Sequence, residues 1–136
     1  MILIVDDDYD IASLVRISLE KAGLFVSSFT DPLLALEKFR SDPSIYNLVI
    51  SDIRMPHMNG YEFVQQVKKL KPNLKIILMS AFEFSDLEIS SEIDDFLEKP
   101  ISLRRLNEIV LRYVEVPTLS RKSYDCADET KLANDY

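Results

Sequence analysis

Five short apolar runs constrain this chain more than any other feature of it: residues 2–5, 24–28, 48–51, 75–79 and 96–97 each suit a buried strand, and none is long enough to span a bilayer. The stretches between them have helical spacing. Ile11, Leu14, Val15, Leu19 and Ala22 recur on one helical face, and Gly23 follows where a left-handed helix stop is wanted. Asp31 before Pro32 reads as an N-cap and a first-turn proline, with Leu36 and Phe39 facing inward. Gly60 opens a third helix carrying Phe63, Val64, Val67 and Leu70, closed off by Pro72. Ser102 caps the last, with Leu103, Leu106, Val110 and Tyr113 on one stripe. Between residues 84 and 93 the pattern is weakest, since Leu87, Ile89 and Ile93 fit a helix poorly, so a fourth helix there is expected to be short or irregular. Strands and helices alternating five times over imply an α/β fold, a parallel sheet covered on both faces with right-handed crossovers.

The length, 136 residues, is about one domain's worth, and 47% hydrophobic with 29% charged residues suffices for a compact core. Residues 1–116 read as one unit. Residues 117–136 show no sustained apolar period and read as a polar tail or linker, with a short packed helix around Leu132 as the weaker reading. Sixteen basic against 23 acidic residues leave a net charge of -7, which repels phosphate backbones and anionic lipid. Direct nucleic-acid and membrane partners are therefore not expected. The single cysteine, Cys126, cannot close an internal disulfide, and the first apolar run stops at Asp6 with no basic residue before it, so a reducing cytoplasm is expected.

In a parallel sheet of this kind, chemistry collects at the carboxyl ends of the strands, near the point where strand order reverses. The residues there are Asp6 and Asp7 after the first run, Asp52 after the third, Ser80 after the fourth and Lys99 after the fifth. Taken singly each has an ordinary reading: Asp7 or Asp8 as a helix cap, Asp52 as the start of a turn, Ser80 as a backbone-satisfying hydroxyl, Lys99 as a surface charge. Jointly those readings weaken, because chance would have to place all five on one edge. Carboxylates about 4 Å apart repel by roughly 4 kcal/mol per pair at an effective dielectric near 20, so cations must offset them. Lys99 supplies one charge; oxygen-only ligands with room for water suit magnesium for the rest. A carboxylate so placed can attack phosphorus, because the metal and the lysine neutralise the transferring group. His57 reads as a solvated side chain and Asp94-Asp95 as loop charge.

ILIVDDD at 2–8, LVISDIRMPHMNG at 48–60, IILMSA at 76–81 and DFLEKP at 95–100 together resemble the receiver domain of two-component response regulators. The resemblance covers residues 1–116. It implies a doubly wound five-stranded sheet in the flavodoxin-like order 2-1-3-4-5, and Asp52 as acceptor of a phosphoryl group from a sensor histidine kinase or phosphotransfer protein. It also implies that Asp7 binds Mg2+ directly, that Asp6 assists largely through water, and that the backbone carbonyl of Arg54 completes the protein ligands. Ser80 matches the switch hydroxyl, Lys99 the phosphate-pairing lysine and Phe96 the aromatic coupled to the switch, while the amide of Ala81 would bind the phosphoryl group. Such a domain catalyses only its own phosphorylation and dephosphorylation. Its output would go to a downstream effector protein or to a self-dimer, commonly through the face of the fourth helix, fifth strand and last helix.

Fewer residues than usual in that family separate Ser80 from Lys99, and Asn59 stands where Asp is frequent. Three rivals remain. A phosphorylation-independent interaction scaffold is opposed by the intact set of five. An aspartyl-phosphate phosphatase would want an acid two residues after the nucleophile, where Arg54 stands. A flavin-binding module would want a Gly- or Ser/Thr-rich phosphate cradle after the first strand, where acids stand instead.

Overall fold

A computed structural model describes residues 1–81 and 92–116 of the chain. In order it runs β1 (Ile2–Val5), α1 (Tyr9–Lys21), β2 (Val26–Phe29), α2 (Pro32–Ser41), a 3-10 turn (Pro43–Ile45), β3 (Leu48–Asp52), α3 (Gly60–Leu70), β4 (Lys75–Ser80), β5 (Asp95–Glu98) and α4 (Leu103–Val110). All five strands are parallel and lie in the order β2-β1-β3-β4-β5. The expected flavodoxin-like α/β fold is the observed one. The fourth helix expected within 84–93 lies outside the described residues apart from Glu92 and Ile93, as do Cys126 and the whole of the expected tail at 117–136.

Alternation along the central strands builds two cores. Ile2, Ile4, Leu48, Ile50, Ile77, Met79 and Leu97 face α1 and α4, whereas Leu3, Val5, Val49, Ile76 and Leu78 face α2 and α3. Each such side chain contributes about 1.5–3 kcal/mol by leaving water. Phe39 of α2 stacks on Tyr46 with ring centroids 5.3 Å apart, closing the second core at its lower end. The loop carrying Tyr46 is gripped by the Lys71 ammonium, which donates to the carbonyls of Pro43, Ser44 and Tyr46.

Side-chain caps fix where the helices begin. The Asp8 carboxylate accepts from Asp10 and Ile11 at 2.9 and 3.3 Å, and that of Asp31 accepts from Leu33 at 2.9 Å. Asn59 and Glu62 form a reciprocal capping box on α3, both bonds 2.9 Å. The position where the family often has Asp is thus a helix cap, which Asn serves equally well.

The structure corrects four details of the sequence reading. β2 begins at Val26 rather than at 24, because Gly23, with φ 92°, turns the chain so that the Leu24 N–H closes α1 on the Leu19 carbonyl at 3.1 Å. Leu14, Leu70 and Leu103 are exposed, at 41%, 45% and 39%. The buried arc of α1 is Ala12, Val15 and Leu19, while Leu70 is the last residue of α3 and Leu103 the first of α4. Tyr113 lies beyond the end of α4, although it packs half-buried against the same core as Leu106 and Val110, where Ile109 is also buried.

The fourth correction concerns Asp94-Asp95, which is not loop charge. Asp94 donates its N–H to the Ile76 carbonyl at 2.9 Å and accepts the Ile76 N–H on Oδ2 at 2.8 Å, so its side chain extends the β4–β5 ladder by one rung. Asp95 opens β5 and holds Arg112 at 2.8 Å, while the Tyr113 hydroxyl stands 3.1 Å from the same carboxylate oxygen and 3.0 Å from the Asp94 carbonyl. The pair fastens an edge strand of four residues to its neighbour and to the end of α4. Asp94→Ala leaves the Ile76 amide without its acceptor and should lower stability by about 1–3 kcal/mol in urea denaturation. Unchanged stability would show that this rung carries no weight.

Candidate functional site

The strand ends converge on one acidic pocket. Asp6 directly follows β1 and is fully buried; its Oδ1 accepts the Asp8 N–H at 2.9 Å, which turns the chain into α1. Asp52 is the last residue of β3 and 7% exposed, its Oδ1 accepting the N–H of Ile53 at 2.9 Å. Lys99 follows β5, and its ammonium lies 2.8 Å from Asp6 Oδ2 and 3.3 Å from Asp52 Oδ1. The Lys99 N–H donates to the Ser80 carbonyl at 2.8 Å, so the lysine and the serine are tied together across the last two strands.

Asp7 is exposed, yet one carboxylate oxygen each of Asp6, Asp7 and Asp52 falls within a span of 4.8 Å. Ser80 is buried, Ala81 and Arg54 are exposed beside the pocket, and Phe96 is half-buried against the α2 and α3 core. Every site residue read from the sequence therefore lies at the carboxyl rim except Phe96, which sits one layer behind it. His57 is exposed and holds φ at 73° in the loop after β3. Asp8 is the helix cap, which frees Asp7 from that task.

Burial and the Asp6 carboxylate push the Asp52 carboxyl up to about 6, against the opposing pull of Lys99 and the Ile53 amide. For Lys99, burial pushes the ammonium down, but its hydrogen bond to Asp6 and the charges of Asp6 and then Asp52 outweigh that, leaving it raised. One lysine does not balance three carboxylates. A second cation fits the donor set: hard oxygen ligands, two of them buried and one reaching water, suit magnesium with part of its hydration shell kept. Among the described residues, this is the group of acids that could hold an ion.

What sequence reasoning missed is the packing behind the acids. Gly60, read only as a helix start, brings α3 against the end of β3, its N–H donating to the Ile53 carbonyl at 2.7 Å. The available signal was its cost: glycine weakens a helix, so one in the first turn asks for a reason.

The chain is similar to known proteins. The response regulator receiver domain profile matches residues 2–111. The response regulator receiver protein CpdR of Brucella abortus is 35% identical over 112 residues, spanning 79% of this chain and 92% of that protein. The transcriptional regulatory protein ZraR of Klebsiella oxytoca is 32% identical over 108 residues, 77% of this chain but only 24% of its own length. Among solved structures, the response regulator TrrA of Thermotoga maritima, in complex with Mg(2+)-BeF, is similar with a TM-score of 0.74 and 33% identity over 83% of this chain and 97% of that one.

The raised carboxyl makes stability depend on pH. A carboxyl titrating near 6 in the fold and at its ordinary 3.8 when unfolded favours folding in its protonated form, so its stabilisation is full below about pH 4 and lost as pH rises through 6. Asp52→Asn stays neutral throughout. In magnesium-free buffer it should match the parent near pH 4 and exceed it by on the order of 1–3 kcal/mol above pH 7, measured by denaturant titration. A difference that does not vary with pH would show that the Asp52 charge is not held under strain.

Proposed function

The chain belongs to the response regulator receiver domain family, phosphoacceptors of two-component signalling rather than conventional enzymes, and from that premise we propose that Asp52 is the residue that takes the phosphoryl group. The observation that carries this reading is the Lys99 ammonium bridging Asp6 and Asp52 at the carboxyl ends of parallel strands, with Asp7 and Ser80 on the same rim. Residues 1–116 form the receiver unit.

Asp52 Oδ1 is engaged by the Ile53 amide and Lys99, which leaves Oδ2 without a hydrogen bond among the described residues and makes it the attacking oxygen. Its lone pair forms the bond to phosphorus as the bond from phosphorus to the donor nitrogen breaks, and that nitrogen keeps the electron pair. The donor is the phosphohistidine of a sensor histidine kinase or phosphotransfer protein. Asp6, Asp7, Asp52 and the backbone carbonyl of Arg54 would hold magnesium, which supplies positive charge against the phosphoryl oxygens when bound. Lys99 supplies the fixed charge on the other side.

The phosphorylated state adds up to two negative charges and several acceptor oxygens to a pocket that was short of cations. The Ser80 hydroxyl and the Ala81 amide then gain a partner that exists only in that state, and this differential interaction shifts the conformational equilibrium. Phe96 reports the shift to the surface of β5, where a downstream effector protein or a second copy reads it. Among the described residues no helix is long and apolar enough to cross a membrane, and the acidic balance, with the histidine-kinase chemistry, supports a cytoplasmic setting.

Incubation with a small-molecule phosphodonor and magnesium should add one phosphoryl mass to the parent and none to Asp52→Asn. A mutant that still gains it would overturn the assignment. Asp7→Ala should weaken magnesium binding more than Asp6→Ala, because Asp6 already spends one oxygen on Lys99 and the other on the Asp8 amide. Equal losses in a magnesium titration would contradict that ordering.

A further inference from the structure

We propose that Gly60, the first residue of α3, is a positioning residue for phosphoryl transfer: its bare Cα sets how far the end of β3, and with it Asp52, projects into the acidic pocket. This rests on Asp52 being the phosphoacceptor. A Cβ built on Gly60 would fall inside van der Waals contact of the Asp52 carbonyl oxygen, and would stand 2.9 Å from Ile53 Cα and 3.2 Å from the Asp52 carbonyl carbon. All three atoms belong to backbone, so none can swing aside as the tip of a side chain does. The left-handed backbone region is not the reason for this glycine, because the positive-φ positions among the described residues are Gly23 and His57. Close approach is the reason.

Each neighbour of that contact is pinned, which is why displacement would be transmitted rather than absorbed. On the α3 side, the capping box between Asn59 and Glu62 fixes the start of the helix, while Phe63, Val64 and Val67 lock its body into the core. On the β3 side, the Ser51 hydroxyl donates to the Asp52 carbonyl at 2.8 Å and the Ile53 N–H is shared between the Met79 carbonyl at 3.2 Å and the Asp52 carboxylate at 2.9 Å. The Gly60 N–H to Ile53 carbonyl bond, 2.7 Å long, then ties the two sides together. A methyl group forced into this seam moves either the helix start or the Asp52–Ile53 peptide. The peptide carries both the attacking carboxylate and the approach to Arg54, whose carbonyl is a proposed magnesium ligand. A misplacement of about 1 Å at reacting groups can cost on the order of a hundredfold in rate.

Gly60→Ala is the direct test, with Gly23→Ala as its control. Gly23 lies at the far end of the sheet at φ 92°, so its alanine variant strains the fold without touching the pocket. Phosphorylation by phosphoramidate, followed by intact mass at saturating donor and magnesium, should slow by ten- to a hundredfold in Gly60→Ala. The donor concentration giving half-maximal rate should change less than threefold, and Gly23→Ala should keep the parent rate over the temperature range where it is folded. A folded Gly60→Ala that reacts at the parent rate, or a Gly23→Ala that slows equally, would overturn the proposal. Should Gly60→Ala not fold, Asn59→Ala takes its place: it adds no atom, releases the helix start and should slow the reaction two- to tenfold, parent behaviour again overturning the proposal. The parent and Asp52→Asn are run beside them, so that a wrong phosphoacceptor is seen as labelling of Asp52→Asn, separately from a wrong role for Gly60.

Discussion

The Lys99 ammonium stands 2.8 Å from Asp6 and 3.3 Å from Asp52 in a pocket where both carboxylates are almost out of water, and removing the lysine would leave two buried carboxylates uncompensated. Two acids on adjacent strands can be brought this close only if a cation arrives from elsewhere, and here it arrives from the far edge of the sheet. β1 and β3 are neighbours in the centre, whereas β5 is the last strand in the order. The lysine therefore has to reach inward across the end of β4, and its own amide takes hold of the Ser80 carbonyl as it does so. The geometry of the pocket depends on where β5 is fastened.

That fastening explains the effort spent at the opposite end of the strand. β5 has four residues and, among the described residues, pairs with one strand, β4. The Asp94 side chain lengthens its ladder, and Asp95 with Arg112 and Tyr113 ties it to the end of α4. Burial and the Asp95 carboxylate push the Tyr113 phenol up, so it remains a proton donor to the clamp throughout the physiological range. Charge at one rim of the sheet is thus held in place by hydrogen bonds at the other, along a strand that also carries Phe96.

Much of this was legible in the residues themselves. Strand and helix alternation points to the class, and the rule that chemistry collects at strand ends singles out Asp6, Asp7, Asp52, Ser80 and Lys99. Those signals are local or periodic, which is what a sequence displays. The misses share a different character. Whether Leu14 or Ala12 faces the sheet depends on helix rotation, which neighbouring elements decide. Asp94 and Asp95 looked like solvated charge because their partners, Ile76 and Arg112, lie on other elements. Gly60 looked like a helix start because the carbonyl it nearly touches belongs to a residue eight positions earlier, across a loop.

The sheet also acts as a partition. Met79 and Leu97 belong to the compartment under α1 and α4, while Val5, Leu78 and Phe96 belong to the one under α2 and α3, with the strand backbones as the wall between them. The acidic rim is where both compartments end. Side chains of both compartments therefore back onto the same rim, and a substitution in either core changes the packing behind the acids from one side of the sheet only.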